Sequence, residues 1–414
     1  MSKRTIVILA IIWMIILVAG VTTALTLALS GTTGALLVGR LASGQEIVVT
    51  DAEYKAINRY QRLNEVLELI EKEYYTETDE DELILGAIRG MVGSLDDPYS
   101  YYRTPEEMTQ DQDHETGRYQ GVGLQLFVDE NNHLMITRVF ADSPAEEAGI
   151  KPGDRLLTIA DFDLAEADNI AQTAKTLLLG EEGTEVSVEI ERGGKRLTFS
   201  VGHAEVIINR VEYCMIEDGI GYIAIYEFMG DDVAGFSAAL DALMNEGAKA
   251  LVLDLRGNPG GLLSDVVQIA DFLLDEGLIV YVENRSGAQE SYYSDSDAVG
   301  LPMAVLVNGA SASASEILAG ALQDRGAATI IGETTYGKGI VQSIIPFHED
   351  GAGIHLTTAV YYTPSGRSIH GSGITPDIPV KQGEGDEIMP DILNPARDTQ
   401  LRCALDYLEG VLQP

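Results

Sequence analysis

Three short apolar runs, each ending at a glycine-containing turn, limit what this chain can fold into more than any other feature. They are "KALVLDLR" at 249–256, "MAVLVNG" at 303–309 and "AATIIG" at 327–332. A strand with one wet face alternates apolar and polar residues. These runs do not alternate, so they predict strands covered on both sides. Amphipathic stretches lie between and beside them: "DDVAGFSAALDALMNEG", "GLLSDVVQIADFLLDEG" and "SEILAGALQD". Their apolar residues recur at helical spacing, and an acid near the start or a glycine at the end marks the boundaries. Alternating strands and helices predict an α/β fold with helices on a parallel or mixed sheet. "IGYIAIYEF" and "LIVYVEN" read as further strands of the same alternation.

At 414 residues the chain has room for two or three domains. The expected fold class is multidomain α/β. Residues 206–382 carry the alternation just described. Residues 116–205 differ in character: "GVGLQLFV", "HLMITRVF", "TEVSVEI" and "RLTFSVG" read as strands, and "SPAEEAGIKPGDRLLTI" as a short helix, a turn and a strand. Residues 51–115 read as a helical N-terminal segment packing on the core. Leu63, Val66, Leu67 and Ile70 mark one helix, and Leu83, Ile84, Ala87, Ile88 and Met91 another. Residues 383–414 form a tail that closes with a helix. Residues 30–50 read as a linker. Thr5 to Leu29 is a run of 25 residues without a charge, long enough to span a bilayer as a helix. Its length favours an uncleaved anchor over a signal peptide. Lys3 and Arg4 then place residues 1–4 in the cytoplasm and the remainder outside, so a single-pass protein with an extracytoplasmic catalytic domain is expected.

The formal net charge is −38. Nothing in such a chain would neutralise phosphates, so nucleic acid is excluded as a partner. Cys214 and Cys403 show no metal-ligand spacing, and no metal or cofactor is expected. The sequence leaves homo-oligomerisation open.

Chemistry concentrates at three turns that follow strands, two of them strand-to-helix turns, where α/β sheets gather their reacting groups. The first, "NGASASASEILAGALQD" at 308–324, brings Ser311, Ser313 and Ser315 to a helix N-terminus. Serine is a preferred cap there, and a nucleophile is the other use of the position. A serine needs a base. None of the six histidines sits in a triad pattern, and there is no G-x-S-x-G turn. The second stretch, "GETTYGKGIVQS" at 332–343, offers Lys338 between two glycines, with Gln342 four residues on to aim it. A lysine works as a base only when burial holds it neutral near pH 7. That means lowering its pKa by about three units, or about 4 kcal/mol. The third, "LDLRGNPGGLL" at 253–263, supplies Gly257, Gly260 and Gly261, either for a tight turn or as backbone donors to an oxyanion.

These blocks, in this order and spacing, resemble the signatures of the carboxyl-terminal processing peptidases, or tail-specific proteases. So does "YYTPSGRSIHGSGITPDIPV" at 361–380, and residues 116–205 resemble the PDZ domain of that family. The resemblance covers roughly residues 50–382. It implies a serine endopeptidase with a Ser–Lys dyad: Ser313 as nucleophile, Lys338 as general base and Gln342 as its orienting partner. The oxyanion hole would use the backbone N–H of Ala314 with that of Gly260, although two adjacent glycines allow either. Ile340 departs from the threonine often found after "GKG". The PDZ domain would hold apolar C-terminal tails of protein or peptide substrates on the loop Gly121, Val122, Gly123 and Leu124, adding the peptide as a strand. The competing expectations are a catalytically inactive PDZ-bearing scaffold or chaperone, and a crotonase-like acyl-CoA enzyme.

Overall fold

The computed structural model describes residues 37–40, 46–49, 51–129, 131–167, 169–216, 219–295, 297–348, 350–383 and 396–413. The expected anchor at Thr5–Leu29 lies outside the described residues. Among the described residues, no helix is long and apolar enough to cross a membrane. The chain divides into two units, residues 1–91 and 92–414.

The first unit holds an antiparallel hairpin, Leu37–Arg40 with Glu46–Val49, inside the stretch read as a linker. The helix Asp51–Glu73 follows, then most of the helix Glu80–Gly93. Asp79 starts the latter by accepting the N–H groups of Asp81 and Glu82 at 2.9 and 3.3 Å. The side chain thereby pairs donors that a helix start leaves open.

The second unit contains the PDZ module and the α/β core. Among its described residues the module's main sheet orders Lys195–Gly202, Glu185–Arg192, Arg155–Ile159, Leu134–Val139 and Leu124–Val128. Ser143 caps its short helix Pro144–Ala148, and Gly149 ends that helix at φ 85°, a conformation that suits glycine. A two-stranded ribbon, Arg118–Gly121 with Ala204–Ile207, carries the chain into and out of the module.

The core sheet orders Val211–Ile216, Ile220–Ile225, Ala250–Asp254, Met303–Val307, Thr329–Gly332 and Ile378–Pro379. The first pair is antiparallel and the others parallel. Alternate residues of each strand feed different clusters. Leu251, Leu253, Val305 and Val307 pack under the helices Asp232–Glu246, Leu263–Leu273 and Ala314–Asp324. Ala250, Val252, Ala304 and Leu306 pack under the C-terminal helix Thr399–Leu412. The apolar runs are therefore unbroken because both faces are covered. Each fully buried Leu, Val or Ile there contributes about 1.5–3 kcal/mol.

"LIVYVEN" departs from the expected alternation. The strand Gly277–Asn284 joins a separate five-stranded antiparallel sheet with Gln289–Ser294, Gly353–Tyr362, Ile340–Pro346 and Tyr101–Arg103. Its periodicity marked it as a strand. It pairs with Gly353–Tyr362, which in turn pairs with Tyr101–Arg103 from far upstream, and local pattern carries no such information.

Candidate active site

The strand Met303–Val307 delivers the serine turn to the carboxyl end of the core sheet. Two of the three serines are consumed by structure. Ser311 is fully buried; its hydroxyl donates to Leu255 O at 2.8 Å and accepts from Asn308 N at 3.0 Å. Ser315 is fully buried and donates to Asn258 O at 3.0 Å. Ser313 lies between them, half-buried, as the residue preceding the helix Ala314–Asp324. Its backbone sits at φ 55°, ψ −115°. That is the first central position of a type II′ turn, which glycine occupies freely and a side chain occupies under strain. The turn thus holds a half-exposed serine at a strained strand-to-helix junction, without a G-x-S-x-G sequence.

Glu316, three residues on, is fully buried and fixes this geometry. One of its carboxylate oxygens accepts Ser313 N–H at 2.9 Å and Lys338 N–H at 2.8 Å. The other accepts the Thr335 hydroxyl at 2.5 Å and Gly337 N–H at 2.7 Å. Four donors satisfy a charge that burial would otherwise penalise heavily. The buried Tyr361 hydroxyl lies between the carbonyls of Ser313 and Lys338, at 3.0 and 2.7 Å. Burial pushes this phenol well above its ordinary pKa, with the Glu316 charge adding to it, so it remains a donor. The serine and lysine loops are therefore joined through both their N–H and their C=O groups.

Lys338 is half-buried, and burial lowers its pKa from the ordinary lysine value. The charges of Asp97 and Glu316 oppose that shift. The acids that act on the amine come from outside its own loop, from a turn near the start of the second unit and from the serine helix. The Lys338 Nζ lies 4.5 Å from the centroid of the Tyr99 ring. Gln342 does not reach it. Its Nε2 donates to Thr357 Oγ1 at 3.2 Å, and Thr357 connects to the Asp97 carboxylate through the Ser100 hydroxyl.

The glycine loop approaches from the neighbouring strand Ala250–Asp254. Gly260 has φ 107°, and a Cβ there would fall 2.7 Å from Ser313 Cβ and 2.9 Å from Ala314 N. Only glycine admits this approach. The Gly260 N–H, however, donates to Asn258 Oδ1 at 2.8 Å, so in this conformation it is not offered to a substrate oxygen. Among the described residues, the N–H groups of Ala314 and Gly261 make no hydrogen bond.

The PDZ loop stands apart from these groups. Gly121 pairs with Ala204, Val122 is buried and its carbonyl accepts Ala145 N at 2.9 Å, and Leu124 opens the strand Leu124–Val128. Gly123, at φ 91°, lies against Ser143, where a Cβ would clash at 2.2 Å. Burial pushes the Tyr119 phenol up to about 12, against the opposing influence of the nearby Gly123 and Leu124 N–H groups.

Glu316, Tyr361, Asn258, Asp97 and Tyr99 were not singled out by sequence reasoning. Only Glu316 left a local signal, the S-x-x-E spacing of a capping box. The others meet the site across long sequence separations.

Residues 219–380 match peptidase family S41, residues 121–202 a PDZ domain, and residues 35–107 the N-terminal domain of the activating protease CtpB. The chain is 34% identical over 373 residues to the carboxy-terminal processing protease CtpA of Bacillus subtilis, covering 89% of this chain and 77% of that one. It is 40% identical over 333 residues to the carboxyl-terminal-processing protease of Synechocystis, covering 78% and 76%. Among solved structures, the photosystem II D1 C-terminal processing protease is similar at a TM-score of 0.51 and 28% identity, covering 80% of this chain and 92% of that one. With the sequence blocks, the PDZ module and the serine turn all in place, the chain belongs to the carboxyl-terminal processing serine proteases of peptidase family S41.

Proposed function

We propose that the chain is an endopeptidase in which Ser313 attacks the scissile carbonyl and Lys338 takes its proton. The observation that carries this reading is the division of labour among the three serines. Ser311 and Ser315 spend their hydroxyls on buried carbonyls, and Ser313 alone is half-exposed at a strained helix start. Lys338, as the neutral amine, accepts the serine proton and returns it to the leaving amine. The tetrahedral oxyanion is held by the N–H of Ala314, at the positive end of its helix, together with that of Gly261. Gln342 acts at a remove, through Thr357 and Asp97.

The substrates are proteins cleaved at or near their C-termini. An apolar tail adds to the PDZ sheet, and its carboxylate is taken up by the N–H groups of the loop Gly121–Leu124, beside the buried Tyr119 phenol. The charge-free run Thr5–Leu29 supports a single membrane anchor with the catalytic unit outside the cytoplasm.

The test is peptide hydrolysis by the purified full chain. Ser313→Ala and Lys338→Ala are expected to lose activity by three orders of magnitude or more, an order-of-magnitude figure for removing a nucleophile or its base. Ser311→Ala and Ser315→Ala are expected to keep measurable turnover. Lys338→Arg is expected to be inactive, because guanidinium cannot accept a proton. An active Lys338→Arg enzyme would refute the dyad, and an inactive wild type would favour a scaffold.

A further inference from the structure

We propose that Tyr99 is a positioning residue for the general base: its ring, 4.5 Å from Lys338 Nζ, receives the ammonium form and thereby sets the pH at which Lys338 becomes available to Ser313. This inference rests on the Ser313–Lys338 reading above. An aromatic face attracts a cation through its quadrupole and has no comparable hold on a neutral amine. Tyr99 therefore stabilises the one form of Lys338 that cannot act as a base. Among the described residues, Lys338 Nζ makes no hydrogen bond, so the ring is its principal side-chain contact.

The ring is itself held. Tyr99 OH donates to Tyr336 OH at 3.1 Å, and Tyr99 N–H donates to Asp97 Oδ1 at 3.0 Å. The Ser100 hydroxyl donates to Asp97 Oδ2 at 2.6 Å and accepts Thr357 N–H at 3.0 Å. This ties the turn to the strand Gly353–Tyr362. Gln342, bonded to Thr357, supports the same turn. Among the described residues, the charged and titratable groups around the amine fall on three elements. Asp97 and Tyr99 come from the turn, Glu316 from the serine helix, and Tyr336 from the lysine's own loop. Burial favours the neutral amine, while Asp97 and Glu316 favour the ammonium. Glu316 already has four donors. The turn Asp97–Ser100 is thus the adjustable opponent of burial, and it lies outside every sequence block that carries the dyad.

The test is the acid limb of kcat/KM against pH, measured with the full chain on a peptide with an apolar C-terminus. Tyr99→Phe keeps the ring and is expected to keep the wild-type limb. Tyr99→Leu keeps apolar bulk without the quadrupole. It is expected to move the limb down by about 0.5–1.5 pH units, read as about 3- to 30-fold higher kcat/KM well below the wild-type midpoint. A 3,4,5-trifluorophenylalanine at 99 has the shape of the ring with a weakened quadrupole. It should move the limb in the same direction, and it carries the test should Tyr99→Leu fail to fold. Limbs that coincide for all variants, or that move upward, overturn the proposal. Ser313→Ala and Lys338→Ala run alongside. If either retained activity, the dyad itself would be at fault rather than the role of Tyr99.

Discussion

At the scale of single residues, the strain at Ser313 sets function against stability. A side chain at φ 55°, ψ −115° costs about 1–3 kcal/mol relative to a relaxed backbone. Glu316 and Tyr361 hold it there. Ser313→Ala keeps the Cβ and so keeps the strain. Ser313→Gly removes it, less the extra entropy glycine loses on folding, about 0.5–1 kcal/mol. Both variants are expected to be inactive, with Ser313→Gly more stable than Ser313→Ala by about 1–2 kcal/mol in urea unfolding. Equal midpoints for the two would mean that the turn is not strained. Which of the three serines reacts was legible from the sequence only through resemblance, since all three sit at equivalent small-residue positions. The structure separates them through carbonyls of Leu255 and Asn258, more than 50 residues upstream.

At the scale of elements, two helices begin on facing carboxylates. Asp232 opens the helix Asp232–Glu246, and Asp265 lies in the first turn of Leu263–Leu273. Asp232 is pushed up to about 7 by burial and then by the Asp265 charge, against the Val233 N–H and the Arg210 charge. A carboxyl whose folded pKa is raised binds more protons folded than unfolded. Its contribution to stability is complete below about pH 4 and is lost as pH rises through about 7. Asp232→Asn stands in for the protonated form at every pH. It is therefore expected to raise Tm at pH 8 by about 2–4 °C and to change it little at or below about pH 4. A uniform shift across that range would show that the pair does not share its charge in this way. Elements of this kind were well marked in the sequence: the helices, the doubly covered strands and the PDZ strands follow from periodicity and turn residues. The antiparallel sheet that holds Gly277–Asn284, Gly353–Tyr362 and Tyr101–Arg103 was not. Nor were the helix Pro105–Thr116 and the role of the turn before it. What decides those is pairing across hundreds of residues, and a single sequence records pairing only as a tendency to be extended.

At the scale of the whole second unit, the PDZ module is fastened to the core by one buried arginine. Arg138 Nε donates to Glu212 Oε1 at 3.1 Å and its Nη2 to Asn209 O at 2.6 Å, with a further bond to Glu212. Its guanidinium lies 3.9 Å from the Tyr226 ring centroid, and Tyr226 OH donates to Glu212 Oε2 at 2.6 Å. Removing one partner of a buried pair costs about 3–5 kcal/mol. In Arg138→Ala, amide exchange in the ribbon Arg118–Gly121 and Ala204–Ile207 is expected to speed up by about two orders of magnitude, while the core strands stay protected. Phosphonylation of Ser313 by a small fluorophosphonate, with loss of fluoride, should persist. Unchanged ribbon exchange would mean that the module is held by something else. The turn that carries Asp97 and Tyr99 has a consequence in time. Its partner strand, through the bond of Thr357 N–H to Ser100 Oγ, lies 257 residues later in the chain. At about 5–20 residues per second, ribosomal synthesis separates the two by roughly 10–50 s. The serine turn, the lysine loop and this platform cannot meet before the last of them has emerged. A protease assembled in that order stays silent until the strand Gly353–Tyr362 has left the ribosome.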